Sequence, residues 1–243
     1  MNLMNKLSIA ITTHNDRVES VKNIACSLHN DNRVEEIIIV DDASGEFIKQ
    51  KLQLSLLEYP KVKLYFNKQR QFVNINKYTA VKMCKCDFVA LLDSDNIFNA
   101  SYIDAWERAV EKYGVHEMYA PEKALPRFDF SRFTGKVINQ CTVSRYMDDP
   151  LFCVAMNTGN YIVHTVDYLD IVGKLINEQQ QEPAPNCCDV IYQNYHMFKE
   201  GCSLIICEDM QYGHPDTPDS TYRAWINKEP TATKYWQDRM KRL

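Results

Sequence analysis

At 243 residues, with 25% charged and 45% hydrophobic side chains, the chain is long enough for one large α/β domain with its own core. Its formal charge of −4 excludes a broad basic nucleic-acid footprint, and no apolar run approaches the length of a bilayer span. Residues 1–5 are too short and polar for a signal peptide, and the nine cysteines are odd in number and lack the paired Cys-x-x-Cys spacing of zinc sites. They are read as reduced and mostly buried, with a cytoplasmic location expected.

In chain order, the first 120 residues alternate strand and helix. Strands are expected at 7–12, 36–40, 62–66 and 87–92, and helices at 17–29, 47–58, 72–84 and 102–113. The first helix carries Val18, Val21, Ile24, Ala25 and Leu28 on one face, the third Val73, Tyr78 and Val81, and the fourth Ile103, Trp106, Val110 and Tyr113. Strands separated by such helices form a parallel sheet with right-handed crossovers. Three strand ends carry polar clusters: Thr12-Thr13-His14-Asn15, Asp41-Asp42-Ala43-Ser44 and Asp93-Ser94-Asp95. In an open α/β sheet these meet on the edge where ligands bind. Two carboxylates one residue apart at a strand end suit a hard cation shared with a substrate's phosphates, although an acid there is also an ordinary turn former or helix cap. The chain has seven glycines and neither G-x-G-x-x-G nor a P-loop, so side chains and a metal would have to hold any nucleotide.

From about 121 to 160 the alternation is lost among Pro121, Pro126, Pro150 and a set of aromatics, and the segment is expected to be irregular. Order is expected to return with a strand over 157–163, a helix over 166–176, a polar surface loop over 178–185 and a helix over 189–199 stopped near Gly201. A short strand over 203–207 follows, and beyond His214 the chain reads as a polar tail with scattered aromatics. Asn99-Ala-Ser101 is a formal glycosylation sequon with no meaning in a chain that is not secreted.

Taken together, these pieces resemble a family 2 glycosyltransferase of the GT-A fold. The resemblance is carried by Ser8-Ile9-Ala10-Ile11-Thr12-Thr13-His14-Asn15, Ile37-Ile38-Ile39-Val40-Asp41-Asp42-Ala43-Ser44, Asn67, Asn76-Lys77 and the run from Phe88 to Asn96. Further on it rests on Asn157-Thr158-Gly159-Asn160-Tyr161, on Cys188-Asp189 before a helix, and on His214. It implies one α/β GT-A (Rossmann-like) domain with a mostly parallel central sheet flanked by helices. Residues 1–120 would be its nucleotide-sugar half, 121–214 its acceptor half and 215–243 a C-terminal tail; from position alone, the tail is expected to close over the donor and 178–185 to border the acceptor.

The resemblance also implies roles. Thr12, His14, Asp41, Asp42, Asn67, Lys77, Asp93 and Ser94 would bind the donor, and Asp42 would accept a hydrogen bond from its base. Asp93, Asp95 and His214 would hold Mn²⁺ or Mg²⁺. Gly159 and Asn160 would face the acceptor, and Asp189 would be the general base of an inverting displacement. The partners are then a nucleotide-sugar donor, UDP-sugar favoured, and a hydroxyl of a glycan or other acceptor. The pattern departs at Cys188-Asp189, where Glu-Asp is usual, and at Val172-Gly173, where a Gly-Gly pair is usual. A sugar-1-phosphate nucleotidyltransferase is disfavoured, because no glycine-rich loop follows the first strand. A retaining transferase and a non-catalytic nucleotide-sugar module remain as alternatives.

Overall fold

The computed structural model describes residues 6–178, 188–215 and 231–243. Its centre is one nine-stranded sheet among these residues, in the order β3-β2-β1-β4-β8-β5-β9-β7, with β6 hydrogen-bonded to β5 off that path. The strands are β1 (Leu7–Thr13), β2 (Val34–Asp41), β3 (Val62–Phe66), β4 (Phe88–Asp93), β5 (Met118–Leu125), β6 (Phe128–Asp129), β7 (Val137–Ile138), β8 (Ile162–His164) and β9 (Leu204–Gly213). The helices are α1 (Val18–Leu28), α2 (Glu46–Leu56), α3 (Phe72–Lys82), α4 (Ala100–Tyr113), α5 (Pro150–Asn157), α6 (Thr165–Glu178), α7 (Asp189–Lys199) and α8 (Ala232–Met240).

Strands β1 to β4 are mutually parallel, and their runs are apolar because helices cover both faces of the sheet. Ile37, Ile38, Ile39 and Val40 are all fully buried. Strand β8 runs antiparallel between β4 and β5, which carries the sheet into the second half of the chain without a break. Six of the nine strands share one direction, so the mostly parallel sheet expected from sequence is present.

The structure departs from expectation in six places. Residues 118–125 form a long strand where irregular chain was expected; Pro121 sits in it at a register shift against β9, where a missing N–H is tolerated. Helix α5 begins at Pro150 behind Asp149, whose carboxylate accepts from the Leu151 N–H at 2.9 Å, a cap and N1-proline pair that the sequence did display. The strand expected over 157–163 is only Ile162–His164, since Asn157 ends α5. Strand β9 runs to Gly213 instead of stopping near 207. Helix α3 turns Asn74, Asn76 and Lys77 inward with Ala80 and Val81, whereas Val73 and Tyr78 are only partly buried. Finally, the end of the tail is core: Trp236 of α8 is fully buried, with ring centroids 4.7 Å from Tyr192 and 5.5 Å from Tyr195 of α7.

The expected loop at 178–185 lies, beyond Glu178, outside the described residues, as does the part of the tail at 216–230. Among the described residues eight cysteines are free and three of them, Cys188, Cys202 and Cys207, are buried, so the expectation of mostly buried cysteines fails there. Asn99 is the N-cap of α4, its side chain accepting from the Ser101 N–H at 3.1 Å. Gly173, which stands where the resemblance looked for a glycine pair, is a packing residue. A Cβ there would come 2.9 Å from the Tyr78 hydroxyl, so its absence lets α6 approach α3.

One buried charge holds the start of the sheet together. Glu36 is 1% exposed and accepts from Ser8 Oγ (2.9 Å), Lys63 Nζ (2.7 Å) and the Lys85 N–H (2.8 Å). Burial alone would raise its pKa, but the Lys63, Ser8 and Lys85 bonds together bring it below the ordinary carboxylate value. Glu36→Gln should therefore lower stability by about 2 kcal/mol at neutral pH. A depressed carboxylate contributes above its unfolded pKa of about 4.3, and that contribution fades as pH falls through the folded value. Urea unfolding of both proteins across that range should show the difference closing in acid.

Candidate active site

The parallel strands set the geometry of one sheet edge. In register, Thr13 lies beside Asp41, and Thr12 lies between Val40 and Asp93, so three polar strand ends are neighbours. They open onto a cavity of about 930 Å³ whose wall includes Thr12, His14, Asp42, Lys77, Asp93, Ser94, Asp95, Gly159, Asp189 and His214. Ten of the residues expected from sequence thus share one cavity.

Asp41, Asn67 and Asn160 are not on that wall and act from behind it. Asp41 is fully buried and accepts from the Ser44 N–H (2.8 Å) and Ser44 Oγ (2.5 Å), which fixes the turn after β2. Asn67 donates from Nδ2 to Asp42 Oδ1 (3.1 Å) and to Asn76 Oδ1 (2.9 Å). Asn160, buried with φ of 70°, accepts from the Asp93 N–H at 2.8 Å, and its carbonyl accepts from the Tyr102 hydroxyl. Asn160 thereby supports Asp93 from behind the wall. Gly159 does face the cavity, and a Cβ there would stand 3.2 Å from Asp93 Oδ2 and 3.6 Å from Lys77 Nζ.

Asp42 anchors the helix that follows β3. Its Oδ1 accepts from the Gln71 N–H (2.7 Å) and its Oδ2 from the Phe72 N–H (3.0 Å), so it caps α3 rather than α2, whose N-cap is Gly45. A carboxylate offers about four lone-pair sites. Asn67, Gln71 and Phe72 take three, and the Arg70 guanidinium stands 3.9 Å from Oδ2. Acceptor capacity toward the cavity therefore persists.

The centre of the site is a buried cation between two carboxylates. Lys77 Nζ is 3.0 Å from Asp189 Oδ2 and 3.2 Å from Asp93 Oδ1. Burial opposes its charge, yet the Asp189 and Asp93 carboxylates outweigh that and push its pKa above the ordinary lysine value. Asp189 opens α7, where the unpaired N–H groups and the helix dipole favour a negative charge. One charged triad thereby joins the end of β4 to the start of α7.

A second pair lies beside it. Arg17 Nη1 is 2.7 Å from Asp95 Oδ2, at the loop between β1 and α1. Asp93 and Asp95 are hard oxygen donors on an open wall with space for phosphate, so the residues fit Mg²⁺ or Mn²⁺. The expected set with His214 shares the cavity but not a single point. Among the described residues, the one trio of ligand atoms within 4.8 Å of each other is elsewhere in the fold. His214 instead lies against Phe128 (5.9 Å between centroids) and Tyr212 (5.8 Å). His14 contributes a solvent-inaccessible Nδ1 with no hydrogen-bond partner.

Sequence reasoning missed part of the wall. Arg17, Arg70 and Arg127 line the cavity, as do Thr233, Gln237 and Lys241 of the C-terminal helix and its end. Lys241 Nζ is 2.6 Å from Asp148 Oδ1, another wall residue. Only the aromatics of the tail hinted at this, since a chain that places Trp236 so late has to bury it somewhere.

With the geometry in place, comparisons locate it among known proteins. Residues 8–118 match the family model described as glycosyl transferase family 2. No curated protein sequence matches the chain. Among solved structures, the chain is similar to S. aureus TarS 1-349 (14% identity, 86% of this chain and 60% of that one, TM-score 0.59). It is also similar to mannosyltransferase PcManGT from Pyrobaculum calidifontis in complex with GDP-Man and Mn²⁺ (13% identity, 90% and 59% coverage, TM-score 0.62). A third similar structure is glucosyl-3-phosphoglycerate synthase from Mycobacterium tuberculosis in complex with Mn²⁺, UDP and phosphoglyceric acid (13% identity, 97% and 78% coverage, TM-score 0.64). At such identities the likeness is one of fold, and the chain spans about 60% of the length of the first two.

Proposed function

We propose, starting from a chain whose residues 8–118 match the glycosyl transferase family 2 model and which has the GT-A fold, that it transfers a sugar from a nucleotide-diphosphate donor to an acceptor hydroxyl with inversion. The observation that carries this reading is the charged triad. Asp189, a carboxylate on the acceptor side, faces the strand-end acid Asp93 of the donor side across Lys77, at 3.0 and 3.2 Å. Inverting displacement needs one base, whereas glycoside hydrolysis needs a flanking carboxylate pair.

In this reading the donor's base meets Thr12 and Asp42, and an N–H of the base, the imide of uracil or thymine or an N–H of guanine, donates to the remaining lone pair of Asp42. Asp95 and Asp93 hold Mn²⁺ or Mg²⁺, which when bound neutralises the diphosphate and improves it as a leaving group. Asp189 takes the proton from the acceptor hydroxyl as that oxygen bonds to the anomeric carbon. The bond from that carbon to the diphosphate oxygen breaks, and the nucleoside diphosphate leaves with its electron pair. Lys77, 3.0 Å from Asp189, holds that carboxylate in place and puts positive charge beside the departing diphosphate. The acceptor is a hydroxyl of a glycan or another molecule held between Gly159, α5 and the C-terminal helix.

The test is a thermal-shift panel of UDP-, GDP- and dTDP-sugars with and without Mn²⁺. A ligand that binds only the folded state raises the melting temperature by mass action. One nucleotide should stabilise the protein only with Mn²⁺, and Asp95→Ala should remove that dependence. Arg17→Gln should tighten Mn²⁺ binding in the absence of donor, because it removes a cation 2.7 Å from Asp95. Metal-independent stabilisation that survives Asp95→Ala would sink the metal assignment, and no stabilisation by any donor would point to a degenerate site or to a donor outside the panel.

A further inference from the structure

A second group of metal-ligating side chains lies at the opposite edge of the sheet. Strand β8 is antiparallel to β4 and β5, so its last residue, His164, is paired with Phe88, the first residue of β4. It therefore falls at the edge where the parallel strands begin, across the sheet from Asp93. His116 precedes β5 at this edge, and Asp167 stands in the first turn of α6. Asp167 Oδ2 is 3.0 Å from Nδ1 of His116 and 3.0 Å from Nδ1 of His164. The two imidazole rings meet edge to face, with centroids 5.1 Å apart.

Two features separate this trio from an ordinary ion-pair cluster. First, His116 Nδ1 is hydrogen-bonded to the carboxylate, but His164 Nδ1 is not. It is inaccessible to solvent and lies at contact distance from Asp167 without the alignment of a hydrogen bond. A buried polar atom in that condition is costly. Second, all three ligand atoms lie within 4.8 Å of each other, which among the described residues is true of this trio alone. In tetrahedral zinc sites with bonds of about 2.0–2.1 Å, adjacent donor atoms are ~3.3 Å apart, so a cation could enter with small side-chain shifts.

We propose that His116, His164 and Asp167 form a site for a zinc-class divalent transition metal, separate from the donor cavity. Two imidazole nitrogens and one carboxylate oxygen select Zn²⁺ or its N-preferring neighbours over Mg²⁺ and Mn²⁺, which favour all-oxygen surroundings. Three protein ligands leave a fourth position to water. The bound ion would tie the segment before β5 to the first turn of α6. It would also satisfy the buried His164 nitrogen.

The test is a Zn²⁺ titration of the full chain against a chromophoric chelator, with thermal unfolding recorded in parallel. The wild type should bind one equivalent at this site and melt higher with Zn²⁺. His116→Ala should weaken that equivalent at least about tenfold, since loss of even an outer-shell partner commonly costs 10- to 100-fold. His116 is mostly exposed, so its replacement keeps the fold, and metal-free melting at the wild-type temperature checks this. Asp167→Asn is the second probe. Asp95→Ala should leave the same equivalent intact, which separates this site from the donor cavity. The proposal is overturned if the wild type takes up no Zn²⁺. It is equally overturned if His116→Ala and Asp167→Asn bind as the wild type does, or if Asp95→Ala alone removes the equivalent.

Discussion

Asp189→Asn is expected to slow sugar transfer by about 10³-fold, the middle of the range for loss of a general base, while leaving donor binding near its wild-type level. The amide is isosteric with the carboxylate and keeps an oxygen for Lys77 at the start of α7, so the fold has little reason to change. What it cannot do is accept the acceptor's proton as the new bond forms. The measurement is single-turnover transfer together with a donor-binding isotherm. A rate within a few-fold of wild type would show that another group takes the proton. Loss of donor binding and rate together would show that Asp189 acts through the donor side.

Lys77→Met is expected to be the most damaging single change for stability and activity together. The side chain is almost fully buried, and its removal leaves Asp93 and Asp189 facing each other without a counter-charge. Breaking a buried pair by deleting one partner typically costs about 3–5 kcal/mol. The lower end, about 3 kcal/mol, is expected here because Asp93 is partly hydrated. Methionine keeps the volume, so the loss reports charge and not a cavity. Because the lysine pKa is raised, its contribution is complete below the unfolded value of about 10.4 and is lost only as pH rises through the folded value. Stability across the neutral range should then show no transition from this group. A double-mutant cycle of Lys77→Met with Asp189→Asn should give a coupling of about 1–3 kcal/mol in urea unfolding. Additive losses would mean that the 3.0 Å pair carries no net energy.

The first half of the chain was legible in detail because its information is local. Apolar runs ending in Thr12-Thr13, Asp41-Asp42 and Asp93-Ser94-Asp95 specify strand, turn and edge together, and the parallel register then brings them side by side. The bounds expected for the third strand and for α7 match the structure. The second half was less legible. Strand β5 contains a proline and alternates poorly, and its identity as a strand comes from β8 and β9 on either side of it. Of the inward positions expected in α3 only Val81 is fully buried, because hydrophobic periodicity cannot anticipate a helix that turns Asn76 and Lys77 toward a charged cavity.

Some roles changed once partners were visible. Asp41 and Asn160 share the expected neighbourhood but support the wall from behind, through Ser44 and the Asp93 N–H. Asp42 is both a cavity residue and the cap of a helix 30 residues further on. The sequence offers the acid but not the N–H groups it will meet.

By itself, then, the sequence determined the alternation of elements, the α/β class and the gathering of acids at one sheet edge. These follow from side-chain period and turn chemistry within a few residues. Only the tertiary structure decided that Lys77 bridges Asp93 and Asp189 across 112 residues, that Trp236 returns to seal α7, and that His116 and His164 meet Asp167. Each of these depends on contacts between segments far apart in the chain, and the meeting of His116 and His164 on which strand ends lie side by side. The strand order is fixed by β8 lying between β4 and β5, a long-range pairing that no local pattern encodes.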